Sequence, residues 1–367
     1  MGDDARKLAK SDFETSGSPS LRGQLDQVKK IATGGMAHVF QARQPTLGRN
    51  IAVKKLRDEM LHNTEVLERF RREARALATV LHQNVAHVYD FVENGSESYI
   101  LMEFIEGVDL STVLEKLGAL PPPVAAAALL GLAKGVSYIH AHHLIHRDIK
   151  PGNIRFTNRG VVKLMDFGIV MDIQDGGLTR PGVMVGSPSY LSPEQVLGDS
   201  ITEKADTFLL GICLYEMLTG VRPFKEEGGE SVFSRIRGGK YVPVRQMNSS
   251  VPAALERVVS KCLRVDPVER YATVKDLILD LEKYLGPIQS SHTEDILLKY
   301  LDEEALLVPA VPYTVVNESR RWRTVALWWV LVPSVLALCF GVSLGYWLGR
   351  PAASLGAAQY AAPKPMR

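Results

Sequence analysis

Cysteine is scarce: the 367 residues include only Cys213, Cys262 and Cys339. Their spacing fits no zinc-ligand pattern and no disulfide framework, so the thiols are read as reduced. An excess of either charge is missing as well. The 43 Lys and Arg residues face 41 Asp and Glu residues, for a net charge of +2. Mixed signs along the chain provide no basic field of the kind that draws nucleic acid, and no nucleic-acid partner is expected. The first 24 residues have no apolar run. Asp3, Asp4, Lys7 and Lys10 interrupt them, so they do not read as a signal peptide, and residues 1–24 are expected to be a disordered lead-in. No internal repeat is visible.

Residues 324–349 contain no charged side chain at all. At 1.5 Å per residue a helix over 325–348 is about 36 Å long, enough for a hydrocarbon core of about 30 Å. Trp328, Trp329, Tyr346 and Trp347 stand near its two ends, as interfacial aromatics do, and Arg320, Arg321 and Arg323 precede it. The plain alternative is a buried core helix. The expectation is one membrane-spanning helix at 324–349 in contact with lipid, Cys339 within it. Residues 1–323 are then expected in the cytoplasm and 350–367 as a short tail outside. Ala337, Gly341, Gly345 and Gly349 recur every four residues, a stripe through which two such helices could form a homodimer.

The remainder divides in two. Residues 25–44 and 50–56 read as strands, and so do Val-Ala-His-Val-Tyr-Asp-Phe-Val-Glu and Ser-Tyr-Ile-Leu-Met-Glu-Phe-Ile-Glu further on. Between them 64–81 reads as a helix, with Phe70, Ala74, Leu77 and Leu81 on one face. After Gly107 the pattern turns helical, at 124–141 behind Pro121–Pro123 and again at 203–219, 252–263 and 273–284. The fold class is therefore α+β: a strand-rich lobe with one helix, then a helix-rich lobe, together 25–285. Residues 286–323 read as a polar, irregular juxtamembrane linker.

Four groups of residues carry chemistry. Ile31 to Val39 place Gly34 and Gly35 between two strands, where small residues let backbone N–H groups approach phosphate oxygens; an ordinary hairpin turn is the alternative. In Ile51-Ala52-Val53-Lys54, strand alternation turns Ala52 and Lys54 to one face. A lysine there needs an anionic partner, and Glu73, on the apolar face of the 64–81 helix, is the candidate. His146-Arg147-Asp148-Ile149-Lys150-Pro151-Gly152-Asn153 is followed by Asp166-Phe167-Gly168. Phosphoryl transfer needs a carboxylate at the attacking hydroxyl, a cation at the moving phosphate and oxygen ligands for a metal ion. Asp148, Lys150, Asn153 and Asp166 are those residue types.

With these motifs in this order, the chain resembles a Hanks-type (eukaryotic-like) bacterial membrane-anchored serine/threonine protein kinase over roughly residues 25–285. The resemblance implies a two-lobed protein-kinase fold with ATP and Mg²⁺ (or Mn²⁺) in the cleft, and protein substrates with Ser/Thr acceptors. It implies that Lys54 holds phosphates and Glu73 orients it, with Ile31, Gly34 and Gly35 in the phosphate loop. Val39 and Ala52 would roof the adenine. Met102 would gate the back pocket, and Glu103 to Ile105 would pair with the base. Asp148 would be the catalytic base, Lys150 would neutralise the transferred phosphate, and Asn153 and Asp166 would be metal ligands. Asp206 would hold the catalytic loop, Glu194 would pair with Arg270, and Arg147 would meet a phosphate on Thr179.

Ala32 and Ala37 stand where the family's phosphate loop has glycines, and Ser192 where the end of its activation segment has alanine, changes expected to be mild. Arg155 stands where the family has an apolar residue beneath adenine. Either its stem packs there with its head in water, or its guanidinium stacks on the base. Two other functions are compatible with parts of this pattern. A catalytically weak pseudokinase could act as a membrane scaffold. A small-molecule phosphotransferase would lack the Pro-Glu end of the activation segment and the Arg270 partner.

Overall fold

β-Branched and aromatic residues alternate through the first lobe, and they build a five-stranded antiparallel sheet of order β1-β2-β3-β5-β4. Its strands are β1 (Asp26–Thr33), β2 (Ala37–Gln44), β3 (Arg49–Leu56), β4 (Val88–Asn94) and β5 (Glu97–Glu103). The computed structural model describes residues 24–94, 97–166, 188–286 and 293–307. Alternation gives the sheet two faces. Phe40, Ala42, Ile51, Val53, Tyr99 and Leu101 form a small core on one. Leu56 and Ile100 turn to the other, and Lys54 follows the same parity.

That second face is covered by α1 (Thr64–Ala78), which Asn63 starts by accepting hydrogen bonds from the N–H groups of Glu65 and Val66. Its buried residues are Phe70, Glu73, Ala74 and Leu77. The helix ends three residues before the expected boundary, where Thr79 turns its hydroxyl onto the Ala76 carbonyl. Leu81, expected on the apolar face, is 69% exposed.

The second lobe begins with β6 (Gly107–Asp109), α2 (Leu110–Leu117) and α3 (Pro122–Ala141). β7 (Ile154–Thr157) pairs with β6 and with β8 (Val162–Leu164) in a three-stranded antiparallel sheet. Then come α4 (Pro193–Leu197), α5 (Glu203–Thr219), α6 (Val232–Arg237), α7 (Val244–Met247), α8 (Ala253–Cys262) and α9 (Val274–Leu285). α3 and α5 are apolar on all sides and form the centre of the lobe, as helices without a polar face must. Gly211 lets α5 lie against α8: a Cβ there would stand 2.5 Å from that of Cys262.

Among the described residues α3 is the helix long and apolar enough to cross a membrane. It is packed by α5 and α9 and buried over most of its length, which makes it a core helix. The spanning helix expected at 324–349, with its glycine stripe, lies outside the described residues.

One expectation is corrected. Within 286–323, read as irregular, residues Thr293–Glu303 form α10. It packs on α3 and buries Leu297, Tyr300 and Leu301, whose three- and four-residue spacing is the helical signal that the polar composition hides. Gly160, in the turn after β7, lies so close that an added Cβ would meet the Glu294 carbonyl oxygen at 2.1 Å.

If α10 is integral to the lobe, Leu301→Ala lowers stability by about 2–4 kcal/mol. Lys299→Ala, at an exposed position of the same helix, changes it by less than about 0.5 kcal/mol. Denaturant unfolding followed by circular dichroism distinguishes the two.

Candidate active site

Lys54 projects from β3 towards α1 and towards the end of β8. Its Nζ lies 2.7 Å from Glu73 Oε1 and 3.2 Å from Asp166 Oδ1. Burial alone would lower this ammonium group; the carboxylates of Asp166 and Glu73 outweigh it and hold Lys54 above its ordinary value. Glu73 is 1% exposed. Burial pushes its carboxyl up, and Lys54 pulls it back. The same ammonium group keeps Asp166 below the ordinary carboxylate range. The Asp166 side chain remains 44% exposed, so the carboxylate is open to a ligand. The sequence-level pairing of Lys54 with Glu73 is present, and Asp166 joins it.

The loop between α3 and β7 is held from beneath. Asp206 on α5 is fully buried. Its Oδ2 accepts from His146 N and from His140 Nε2, and its Oδ1 from Arg147 N, each at 2.8 Å. Burial works against the charge of Asp206. The hydrogen bond and field of His140, with those of His146, prevail and keep its carboxyl low. Arg147 and Asp166 both have positive φ, +68° and +45°, conformations that persist only where surrounding contacts enforce them. Gln195, on α4, adds a bond from Nε2 to the Arg147 carbonyl at 2.9 Å.

On the loop itself three side chains meet. Lys150 Nζ is 2.8 Å from Asp148 Oδ1 and 2.6 Å from Oδ2. Asn153 Nδ2 donates to Asp148 Oδ2 and to its carbonyl, both at 2.9 Å, and reaches the Asp166 carbonyl at 3.4 Å. The amide oxygen of Asn153 is thereby turned away from Asp148.

The residues expected to face the base stand on β1, β2, β3 and β5. Ala52 stands opposite Met102 in the register, and Val39 opposite Lys54. Ile31 is 43% exposed. Gly34 N donates to the Ala37 carbonyl at 2.8 Å, closing the turn that holds Gly35. The Glu103 N–H donates to His87 O, and the Glu103 side chain accepts from Lys163 Nζ at 2.8 Å. This residue holds the hinge in place. The Ile105 side chain is buried.

Beyond the loop, Glu194 and Arg270 form a buried bidentate pair at 2.7 and 2.9 Å. Arg270 also donates to the carbonyls of Lys204, Arg264 and Val265. So complete a set of partners fixes geometry, whatever its net contribution to stability. Ser192, read from sequence as a mild change, caps α4 in a reciprocal box with Gln195. Sequence reasoning missed His140, Gln195 and Lys163, each of which acts on backbone or on a carboxylate across a long sequence separation. Phe167, Gly168, Thr179, Gly186 and Ser187 lie outside the described residues.

Against this geometry the comparisons are direct. Residues 25–279 match the protein kinase domain family. The chain belongs to that family. A probable serine/threonine-protein kinase of Clostridium perfringens is 38% identical over 263 residues, 72% of this chain and 38% of that protein. Serine/threonine-protein kinase PrkC of Bacillus subtilis is 34% identical over 262 residues, 71% of this chain and 40% of that protein. Tyrosine-protein kinase MasK of Myxococcus xanthus is also 34% identical, over 276 residues, 71% of this chain and 42% of that protein. The chain thus spans about two fifths of the length of these relatives.

Kinase-family membership implies ATP and a divalent metal. The donors fit such an ion: one carboxylate and one amide oxygen, both hard, at the mouth of the cleft. Among the described residues no three His, Cys, Asp or Glu side chains cluster as a cage of their own. That suits an ion completed by nucleotide phosphates and water.

His146 predicts a pH dependence. Its ring is fully buried, with Nε2 3.2 Å from the Met165 carbonyl, and burial holds its pKa below the ordinary value. The unfolded chain therefore takes up this proton first as pH falls. The stability associated with the neutral ring is present above about pH 6.5 and is lost as pH drops from there through the folded value. Each unit of depression is about 1.4 kcal/mol, or about 2–4 °C in melting temperature. Melting curves between pH 7.5 and 5 should fall in the wild type, with a smaller fall in His146→Asn.

Proposed function

We propose that this chain is an ATP-dependent protein kinase that transfers the γ-phosphate to serine and threonine hydroxyls of proteins, its own activation loop included. One observation carries the proposal. Lys54, Glu73 and Asp166 form one ion cluster, Asp148, Lys150 and Asn153 form another, and Asn153 joins the two through the Asp166 carbonyl. Lys54, held charged by two carboxylates, orients the phosphates. Asp148 accepts the proton of the attacking hydroxyl, and Lys150 beside it offsets charge on the phosphoryl group in transit. Asn153 and Asp166 would hold Mg²⁺ or Mn²⁺, which supplies charge neutralisation at the phosphate oxygens. Ile31, Gly34, Gly35, Val39, Ala52, Met102, Glu103 and Ile105 line the nucleotide's place. All the phosphoryl-transfer residues are together, so nothing favours the scaffold alternative.

The serine/threonine assignment rests on Lys150 and on the run Gly186-Ser187-Pro188-Ser189-Tyr190, together with the names of two relatives. Incubation of the purified full chain with labelled ATP and Mg²⁺ should give phosphoserine or phosphothreonine. Lys54→Met and Asp148→Ala should each lower incorporation by about 10²-fold or more. Undiminished labelling in both variants refutes the assignment, and phosphotyrosine alone refutes the acceptor class.

The reading extends to the membrane. We place 324–349 across the bilayer with the kinase domain in the cytoplasm, on the uncharged run and the three arginines before it. Gly341, Gly345 and Gly349 form the homodimer contact, which brings activation loops together for phosphorylation of Thr179 in trans. In membranes, Gly341→Leu/Gly345→Leu should reduce both crosslinked dimer and autophosphorylation. A chain recovered in the soluble fraction, or a double variant indistinguishable from wild type, contradicts this arrangement.

A further inference from the structure

Glu73 occupies a costly place. Its Oε1 is held by Lys54, but its Oε2 is buried and has no hydrogen-bond partner among the described residues. A carboxylate half matched in the interior opposes its own burial. The ion pair with Lys54 offsets only part of that cost, so α1 needs a hold elsewhere to keep Glu73 turned inward.

Such a hold lies two residues away. Arg71 reaches from α1 to β4, where its Nε donates to Glu93 Oε2 at 2.7 Å and its Nη2 donates to Glu93 Oε1. Two donors of one guanidinium group thus meet both oxygens of one carboxylate, the strongest geometry for such a pair. Nη1 donates to Glu68, one turn back on α1, so the same group also grips its own helix. Beside it, Phe70 meets Phe91 of β4 edge to face, with ring centroids 6.1 Å apart. Phe91 and Glu93 are two residues apart on β4 and share a face. Phe70 and Arg71 are consecutive on α1. One apolar and one ionic contact therefore stand side by side and fix the roll of the helix. Arg71 and Glu73 are about 200° apart around that helix. A roll that frees Arg71 from Glu93 carries Glu73 away from Lys54.

Most exposed ion pairs contribute little. This one is forked, and its side chains are 27% and 30% exposed. We propose that Arg71 is a positioning residue for phosphoryl transfer: it holds α1 on β4 through Glu93 and so keeps Glu73 on Lys54. This rests on the reading of Lys54 as the lysine that orients the phosphates. Arg71 touches no reacting group and acts through the helix alone. With Glu73 withdrawn, Asp166 is the carboxylate that remains beside Lys54. The phosphate-holding cation and the metal-holding anion then neutralise each other, and both are lost to the nucleotide.

The test uses the purified full chain with Mg²⁺, labelled ATP and a basic acceptor protein. In Arg71→Ala and in Glu93→Ala, kcat at saturating ATP should fall about three- to fivefold, the upper range for a partly exposed ion pair. Arg71→Ala/Glu93→Ala should fall no further than either single variant, because all three lose the same contact. Arg71→Glu/Glu93→Arg, which exchanges the charges, should recover kcat to within about twofold of the wild type. Melting temperatures should stay within about 2 °C of one another, because α1 shifts without unfolding either lobe. Arg71→Gln is read in place of Arg71→Ala should the latter not fold. Unchanged kcat in the single variants, additive losses in the double variant, or a lowered melting temperature with kcat intact overturns the tether alone. Absence of phosphate incorporation by the wild type overturns the kinase reading and the tether with it.

Discussion

A single carboxylate out of reach of water holds the loop between α3 and β7. Asp206 receives two backbone N–H groups and one imidazole. Such a group is costly to bury unless its charge is matched by donors. Here the donors are the backbone of the loop whose shape matters. Arg147 can keep its positive φ because its N–H is fixed by Asp206 and its carbonyl by Gln195. Asp148, one residue on, inherits that orientation and presents both oxygens to Lys150.

From there order passes outward through polar contacts. Asn153 ties Asp148 to the Asp166 carbonyl, and Asp166 ties the second lobe to Lys54 in the first. Glu73 on α1 completes the series. Lys54, Glu73 and Asp166 cannot be moved singly without leaving an ion unmatched, and the neutral amide of Asn153 joins them to the loop through the Asp166 backbone, so the position of α1 and the geometry of the loop are coupled. On the other side, Glu194 and Arg270 fix the segment that bears Gln195, and Gln195 returns to Arg147.

Much of this was legible in the sequence because its signals are local. Strand alternation set the parity of Ala52 and Lys54, and the three-residue step from Phe70 placed Glu73 on the inner face of α1. The loop residues were legible as a motif. What was not legible depends on partners far along the chain. Nothing near His140 announces Asp206, sixty-six residues on. The cap at Ser192 did have a local signal, the Ser-x-x-Gln spacing with Pro193 at the first helical position, which the reading of Ser192 as a mild replacement passed over. Arg155 was visible as an anomaly, but its outcome turned on β6, where its head donates to the Gly107 carbonyl and lies 3.4 Å from Asp109. α10 was overlooked because its apolar residues, though correctly spaced, stand in an otherwise polar stretch. α3 carries the opposite lesson: length and hydropathy describe a helix, and its neighbours decide whether it meets lipid or protein.

The contact between α5 and α8 has a consequence for descent. At Gly211 there is no space even for a methyl group, because the Cβ of Cys262 already fills it. Position 211 cannot take a side chain while residue 262 keeps its Cβ in that place. A lineage that acquires a side chain at 211 must shed one at 262 or move the helices apart. These two sites, fifty-one residues apart in the chain, therefore share one steric constraint, set by the Cβ of residue 262 and not by its thiol.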